Sequence, residues 1–174
     1  HVLRDINSTH SVLGCAVSGV LAAWMEETAG GQVDVWVADT TDLDNPVLYP
    51  IATDVGRPLG YDPYLYGRDV ISMDGSYLVW EAGGQIIGAD IRDLRHPRHL
   101  TVTTSDQSWE SARDPQVSQG FVVWTDIRMD GGDLYGADLS SPEPIQEIPL
   151  LLQAGTQEQA DLDGDLLVYV DGAI

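Results

Sequence analysis

Four times along this chain a small Gly-containing turn runs straight into an apolar stretch that ends on an aromatic residue. Val17-Ser18-Gly19-Val20-Leu21-Ala22-Ala23-Trp24 matches Met73-Asp74-Gly75-Ser76-Tyr77-Leu78-Val79-Trp80. It matches again at Val117-Ser118-Gln119-Gly120-Phe121-Val122-Val123-Trp124 and at Leu162-Asp163-Gly164-Asp165-Leu166-Leu167-Val168-Tyr169. Every copy sets an aliphatic or Met residue seven positions before its aromatic. Self-similarity of this kind constrains a fold more than any single motif, because each copy must be one supersecondary unit that buries its apolar face against the next. The local pattern is a tight turn feeding a buried strand.

A second motif follows the first three aromatics: Asp34-Val35-Trp36-Val37-Ala38-Asp39, Gln85-Ile86-Ile87-Gly88-Ala89-Asp90 and Asp133-Leu134-Tyr135-Gly136-Ala137-Asp138. Each reads as the next strand of the same unit and closes on Ala-Asp. The connecting residues 26–31, 82–84 and 126–132 are rich in Gly or acidic side chains, which suits hairpins between antiparallel strands. From Trp24 to Trp80, Trp124 and Tyr169 the intervals are 56, 44 and 45 residues, close to one four-stranded propeller blade per repeat. The longer first interval carries an insertion at residues 59–68 with Tyr61, Tyr64 and Tyr66. The predicted fold class is all-β, a β-propeller.

One copy carries more detail. Asp114-Pro115-Gln116-Val117-Ser118 leads through Val122-Val123-Trp124-Thr125-Asp126-Ile127-Arg128 to Asp133-Leu134-Tyr135. This resembles the TolB-like propeller repeats, whose blades run from a proline-led turn strand through Val-Val-Trp and an Asp-x-Arg hairpin to Asp-Ile-Tyr. The other copies depart from it: Ala160 stands in place of Pro115, Tyr169 in place of Trp124, and no Asp-x-Arg follows Trp80. The resemblance spans residues 12–171 and implies architecture rather than activity. Propellers of this kind serve as docking platforms, as gating domains beside peptidases and as repeats in large surface proteins, and a fold does not dictate a function.

Closed propellers have about 4 to 8 blades, whereas this chain supplies roughly three and a half. The expected organisation is residues 1–10 as the tail of a preceding blade, 11–69 as a blade with the insertion, 70–115 and 116–160 as two further blades, and 161–174 as the start of another. A segment of a larger propeller, or a chain completed by a partner, is therefore expected, since open strand edges invite pairing.

The 28 acidic residues outnumber the 8 basic ones, all of them Arg, for a net charge of -20. Such a surface opposes nucleic acid, which demands clustered cations, and anionic membranes. No stretch reaches the ~20 apolar residues of a membrane span. Cys15 is the single cysteine, so no intrachain disulfide framework exists; between Gly14 and Ala16 in an apolar strand it is expected to be buried. Val12-Leu13-Gly14-Cys15 is only a weak match to a lipoprotein box, with no basic cluster before it.

Catalytic signatures are missing from the sequence. There is no Gly-x-Ser-x-Gly elbow and no phosphate-binding Gly-rich loop opening a helix. His96-Pro97-Arg98-His99 reads as a surface loop between blades rather than a metal pair. Asp161, Asp163 and Asp165 alternate around Gly164, and Asp126, Asp130 and Asp133 surround Gly131 and Gly132. Both are calcium candidates, but position 172, where an EF-hand starting at Asp161 needs Glu, is Gly, and the first cluster aligns with the turns at Ser18-Gly19 and Asp74-Gly75. A structural turn is the preferred reading, with no cofactor expected. Trp24, Trp80 and Trp124, at the same place in each copy, are expected between sheets. Trp109 does not recur; with Tyr61, Tyr64 and Tyr66 it forms the candidate binding surface, aromatics being enriched at interfaces. Asn7-Ser8-Thr9 is a glycosylation sequon. The functional expectation is a non-catalytic interaction or assembly module of an exported, cell-surface or periplasmic protein, its partner another protein or further copies of itself. A gating or substrate-recruiting propeller of a larger hydrolase or peptidase and a glycan-binding propeller are the alternatives.

Overall fold

The computed structural model describes residues 10–58, 69–103, 112–127 and 131–172. They form fourteen strands and no helix. Three meanders of four antiparallel strands come first. Sheet 1 holds β1 (Ser11–Ser18), β2 (Leu21–Glu27), β3 (Val33–Asp39) and β4 (Val47–Val55). Sheet 2 holds β5 (Ile71–Asp74), β6 (Tyr77–Ala82), β7 (Gln85–Asp90) and β8 (Arg98–Thr101). Sheet 3 holds β9 (Ala112–Ser118), β10 (Phe121–Asp126), β11 (Asp133–Asp138) and β12 (Ile148–Leu151). A two-stranded sheet 4 follows, β13 (Gln157–Asp163) and β14 (Leu166–Asp171). The expected all-β class is observed, in sheets that follow the repeat.

Turn chemistry sets the register. In each copy two residues join the first strand to the second, so that Ser18 pairs with Leu21, Asp74 with Tyr77, Ser118 with Phe121 and Asp163 with Leu166. The first turn residue has a left-handed backbone every time: Gly19, Gly75 and Gly164 at φ near 58°, and Gln119 at 51°. Two-residue hairpins need that geometry to match strand twist. At Gln119 the strain falls on a residue with a Cβ, next to Gly120 at φ 81°.

Alternation along each second strand divides its residues between two faces. In β6, Leu78 and Trp80 point back into a core with Ala23, Met25, Val35 and Val37 of sheet 1. Val79, between them, points forward into a core with Val117, Val122 and Trp124 of sheet 3. In β10 the same division recurs: Val122 and Trp124 point back to sheet 2, while Phe121 and Val123 point forward to Ala160, Leu162 and Leu167 of sheet 4. Leading strands β1, β5, β9 and β13 lie beside one another in chain order. They approach closely, and a Cβ added at Gly14 would sit 2.6 Å from Val70 Cγ2.

The structure revises several details. β9 begins at Ala112 and β13 at Gln157. Each strand carries a bulge: Trp124 faces the pair Asp114-Pro115, and Tyr169 faces Gln159-Ala160. Asp114 and Gln159 take φ of 54° and 53°, so the proline that marked a boundary in the sequence sits inside a bent strand. Cys15 is exposed rather than buried, because it shares the outer face of β1 with Val17 and no described strand packs there. His96 lies in the β7–β8 turn within sheet 2, and Arg98 and His99 belong to β8, so that cluster is not a connection between sheets. Trp80 and Trp124 lie between sheets as expected. Trp24, at the equivalent place, is buried on the outer face of sheet 1 by stacking on Trp36, at 6.5 Å and 12° between planes.

Candidate functional site

Aligning the four copies places equivalent side chains in different surroundings. The backward-facing set is Val17, Met73, Val117 and Leu162. Met73 and Val117 are buried and Leu162 is packed on the core between sheets 3 and 4, but Val17 is 75% exposed. The forward-facing set is Ala23, Val79, Val123 and Val168. The first three are buried, whereas Val168 is 52% exposed, flanked by exposed Leu166 and Val170. Two apolar faces therefore stand open among the described residues: the back of sheet 1, with Val12, Val17 and Trp36, and the front of sheet 4, with Leu166, Val168 and Val170. Tyr169 points back toward sheet 3 yet is 40% exposed. A cavity of about 420 Å³ between sheets 3 and 4 borders Phe121, Val123, Leu150 and Leu167.

One polar contact repeats at every sheet boundary. The side chain ending the first strand of one sheet accepts a hydrogen bond from the turn amide of the next. Ser18 Oγ accepts from Gly75 N (3.0 Å), Asp74 Oδ2 from Gln119 N (2.7 Å) and Ser118 Oγ from Gly164 N (3.0 Å). Side-chain contacts add to this ladder: Gln116 Nε2 donates to Asp69 (3.0 Å) and Arg113 to Glu158 (2.9 Å). Burial raises the Asp69 carboxyl above its ordinary range, against the lowering effect of the Gln116 hydrogen bond.

The closing Ala-Asp of each third strand proves to be a turn device. Asp39, Asp90 and Asp138 accept from the backbone amides of Thr41 (2.9 Å), Arg92 (3.2 Å) and Ser140 (2.8 Å), a local motif Asp forms readily. All three carboxyls are lowered, chiefly by side-chain hydrogen bonds from Thr41, Arg92 and Ser140 respectively. The following turns, Asp42-Leu43-Asp44-Asn45-Pro46 and Asp93-Leu94-Arg95-His96-Pro97, share geometry but not charge. Asp42 accepts from Asp44 N and Asp93 from Arg95 N, both at 3.0 Å. An open groove of about 660 Å³ runs beside the second turn, with Leu21, Tyr49 and Ile91 for a floor and Arg92, Arg95 and His96 at the rim. Arg92 is engaged by Asp90, His96 by Asp93 at 3.1 Å, and Arg98 by Glu143 at 3.8 Å. These contacts neutralise most of the local positive charge.

Of the residues singled out in the sequence, Tyr61, Tyr64, Tyr66, Trp109, Asn7 and Arg128 lie outside the described residues. Asp161 and Asp163 are exposed on β13 and Asp165 is exposed in the following turn. The Asp161 carboxylate accepts from Leu162 N at 2.9 Å. Among the described residues no three His, Cys, Asp or Glu side chains come together to hold a metal, and no helix is long and apolar enough to cross a membrane. Asp126 and Asp133 are buried directly opposite each other on β10 and β11. The open faces and the ladder were missed in the sequence. Their signal lay in the unlike residues Ser18, Asp74, Ser118 and Asp163 at one repeat position. No protein-family model matches the chain, and no curated protein matches it.

Proposed function

We propose that this chain is a segment of a β-propeller of TolB-like repeats and works as a non-catalytic interaction or assembly module of an exported or cell-surface protein. One observation carries the reading. Sheets 2 and 3 bury both faces against their neighbours, while equivalent apolar positions at Val17 and Val168 stay open. Contiguous apolar patches of this kind mark interaction sites. The strongly acidic, lysine-free composition keeps such a module soluble while it is unassembled and suits exposure outside the cell.

The test is site-specific photo-crosslinking in the native setting, with the reactive side chain placed at Val17, at Val168 and, as a control, at exposed Asp44. Adducts to protein from the first two positions and none from the third are expected. Equal yields from all three, or none from any, would overturn the reading.

A further inference from the structure

We infer that the open groove between sheets 1 and 2 docks an extended peptide segment, an apolar side chain of the peptide resting on Leu21, Tyr49 and Ile91 and a carboxylate two residues away meeting Arg95. The site is separate from the open faces of sheets 1 and 4. It lies inside the run of sheets, on the side of the β1–β2, β3–β4, β5–β6 and β7–β8 turns, all of them among the described residues. The next boundary shows what makes the groove. There Tyr77 lays its ring against Gly120, where an added Cβ would stand 3.0 Å from Tyr77 Cε2. Leu21 holds the repeat position of Tyr77, and Ser76 that of Gly120. The turn bonds confirm the match, since Ile91 N donates to Ser76 O as Leu139 N donates to Gly120 O. With a shorter side chain at 21 and a Cβ at 76, these residues do not close on each other but line a groove of about 660 Å³.

Charge selects the occupant. Three of the five arginines among the described residues, Arg92, Arg95 and Arg98, stand together at residues 92–98 of a chain whose net charge is -20. Arg92 is held by Asp90, Arg98 faces Glu143, and His96 at the rim is held by Asp93. Arg95 is exposed on the rim and has no carboxylate partner among the described residues. A guanidinium matches a carboxylate through two parallel hydrogen bonds, so one free Arg beside an apolar floor suits one carboxylate. The acidic chain as a whole disfavours a polyanion. Shape selects a peptide over a small molecule. Enclosed pockets bury about 70–90% of a small ligand, which a groove open along its length does not do. An extended peptide points alternate side chains to one side, so residues two apart reach floor and rim together.

The test uses the full chain and an array of acetylated, amidated pentapeptides with Glu at the centre, Ala on either side of it and Leu, Ile, Val, Phe, Tyr or Trp at the two ends. The same array with Gln for Glu and sodium isovalerate alone are the comparisons, and amide shifts of isotope-labelled protein locate binding. Glu peptides shift the amides of Leu21, Tyr49, Ser76 and residues 91–96, and their Gln counterparts bind roughly tenfold more weakly, the scale of a hydrogen bond between charged groups. Arg95→Ala, at an exposed position, brings the same loss with an unchanged unfolding midpoint. Leu21→Tyr combined with Ser76→Gly copies the contact of Tyr77 on Gly120 and removes binding while Arg95 stays; if that pair does not fold, Arg95→Ala decides alone. No shift at these amides with any Glu peptide, equal binding by the Gln array, or binding retained by Arg95→Ala or by a folded filled groove would overturn the inference. Isovalerate binding as tightly as the peptides would also overturn it, in favour of a free acid. Peptide binding here without photo-crosslinks at Val17 and Val168 would keep this site and refute the reading of the open faces; crosslinks without peptide binding would do the reverse.

Discussion

Sheets 2 and 4 are built from one pattern and differ in what lies against them. Leu78-Val79-Trp80 and Leu167-Val168-Tyr169 follow the same type of turn at the same spacing, yet the first three side chains are buried while Val168 and Tyr169 are 52% and 40% exposed. The comparison teaches that this pattern does not encode a strand with one wet face. It encodes a strand that is apolar on both sides and takes its burial from the sheets before and after it. An antiparallel sheet left to itself alternates apolar and polar residues, and here the alternation is replaced by a run such as Phe121-Val122-Val123-Trp124. Sheets 2 and 3 have both neighbours; among the described residues sheet 4 has one neighbour and two strands.

The largest effect that sharpens the contrast is in the aromatic series. Trp124→Ala should cost about 3 to 5 kcal/mol, the usual range for deleting a fully buried large aromatic, whereas Tyr169→Ala, with much of its surface already in water, should cost less than about 1.5 kcal/mol. Denaturant unfolding of the two variants decides it. Equal losses would mean that sheet 4 is packed as tightly as sheet 3.

A smaller effect separates the members of the ladder. Asp74→Ala leaves the Gln119 amide without its acceptor and should lower stability by about 1 kcal/mol or somewhat more. Asp163→Ala removes no internal bond and should change monomer stability by less than ~0.5 kcal/mol. Similar losses from both would show that the ladder bond does not distinguish the two positions.

Much of the fold was legible in the sequence because turn, strand and aromatic recur together. Gly19, Gly75 and Gly164 announce the left-handed first turn residue, and the apolar runs announce strands buried on both sides. The bulges were not legible. They place Asp114 and Gln159 at positive φ, a conformation Asp tolerates through local hydrogen bonds but which nothing about Gln announces. The ladder escaped for a different reason: its acceptors are two serines and two aspartates, unlike by residue type and alike only in register. Alignment of the Asp161–Asp165 cluster with the turns at Ser18-Gly19 and Asp74-Gly75 was legible and favoured a structural turn over a metal site, but not the bond that the side chain at this position accepts. Cys15 was misread because an apolar strand was assumed to have cover on both faces, and the back of sheet 1 has none among the described residues.

Acid titration should act on the turn carboxylates of sheets 1 to 3, which have no counterpart among the described residues of sheet 4. The Arg92 hydrogen bonds hold the Asp90 carboxyl below its ordinary range. Its folded value is thus lower than its unfolded value of about 3.9. The stability it contributes is fully present above that unfolded value and is lost as pH falls through the folded one. Asp90→Asn should lower stability by a constant amount above about pH 4 and flatten the acid limb of a stability-against-pH curve below it. An unchanged acid limb would show that the pair with exposed Arg92 contributes nothing measurable. The smallest expected effect is that of calcium. With Asp161, Asp163 and Asp165 exposed around a turn, unfolding midpoints in excess chelator and in added calcium should coincide. A real site would be plain, since a ligand at a hundred times its dissociation constant contributes ~2.7 kcal/mol.

The central claim is that one interface recurs between successive sheets and that the outer sheets carry its unmatched halves. Residue-resolved amide hydrogen exchange at the four turn positions, on dilute monomeric protein, tests it most directly. Gly75, Gln119 and Gly164 donate to the ladder, so their amides should exchange measurably more slowly than an unstructured peptide. Gly19, at the same place in the same kind of turn, should exchange at the unstructured rate. Equal protection at all four positions, or none at any, would contradict the account.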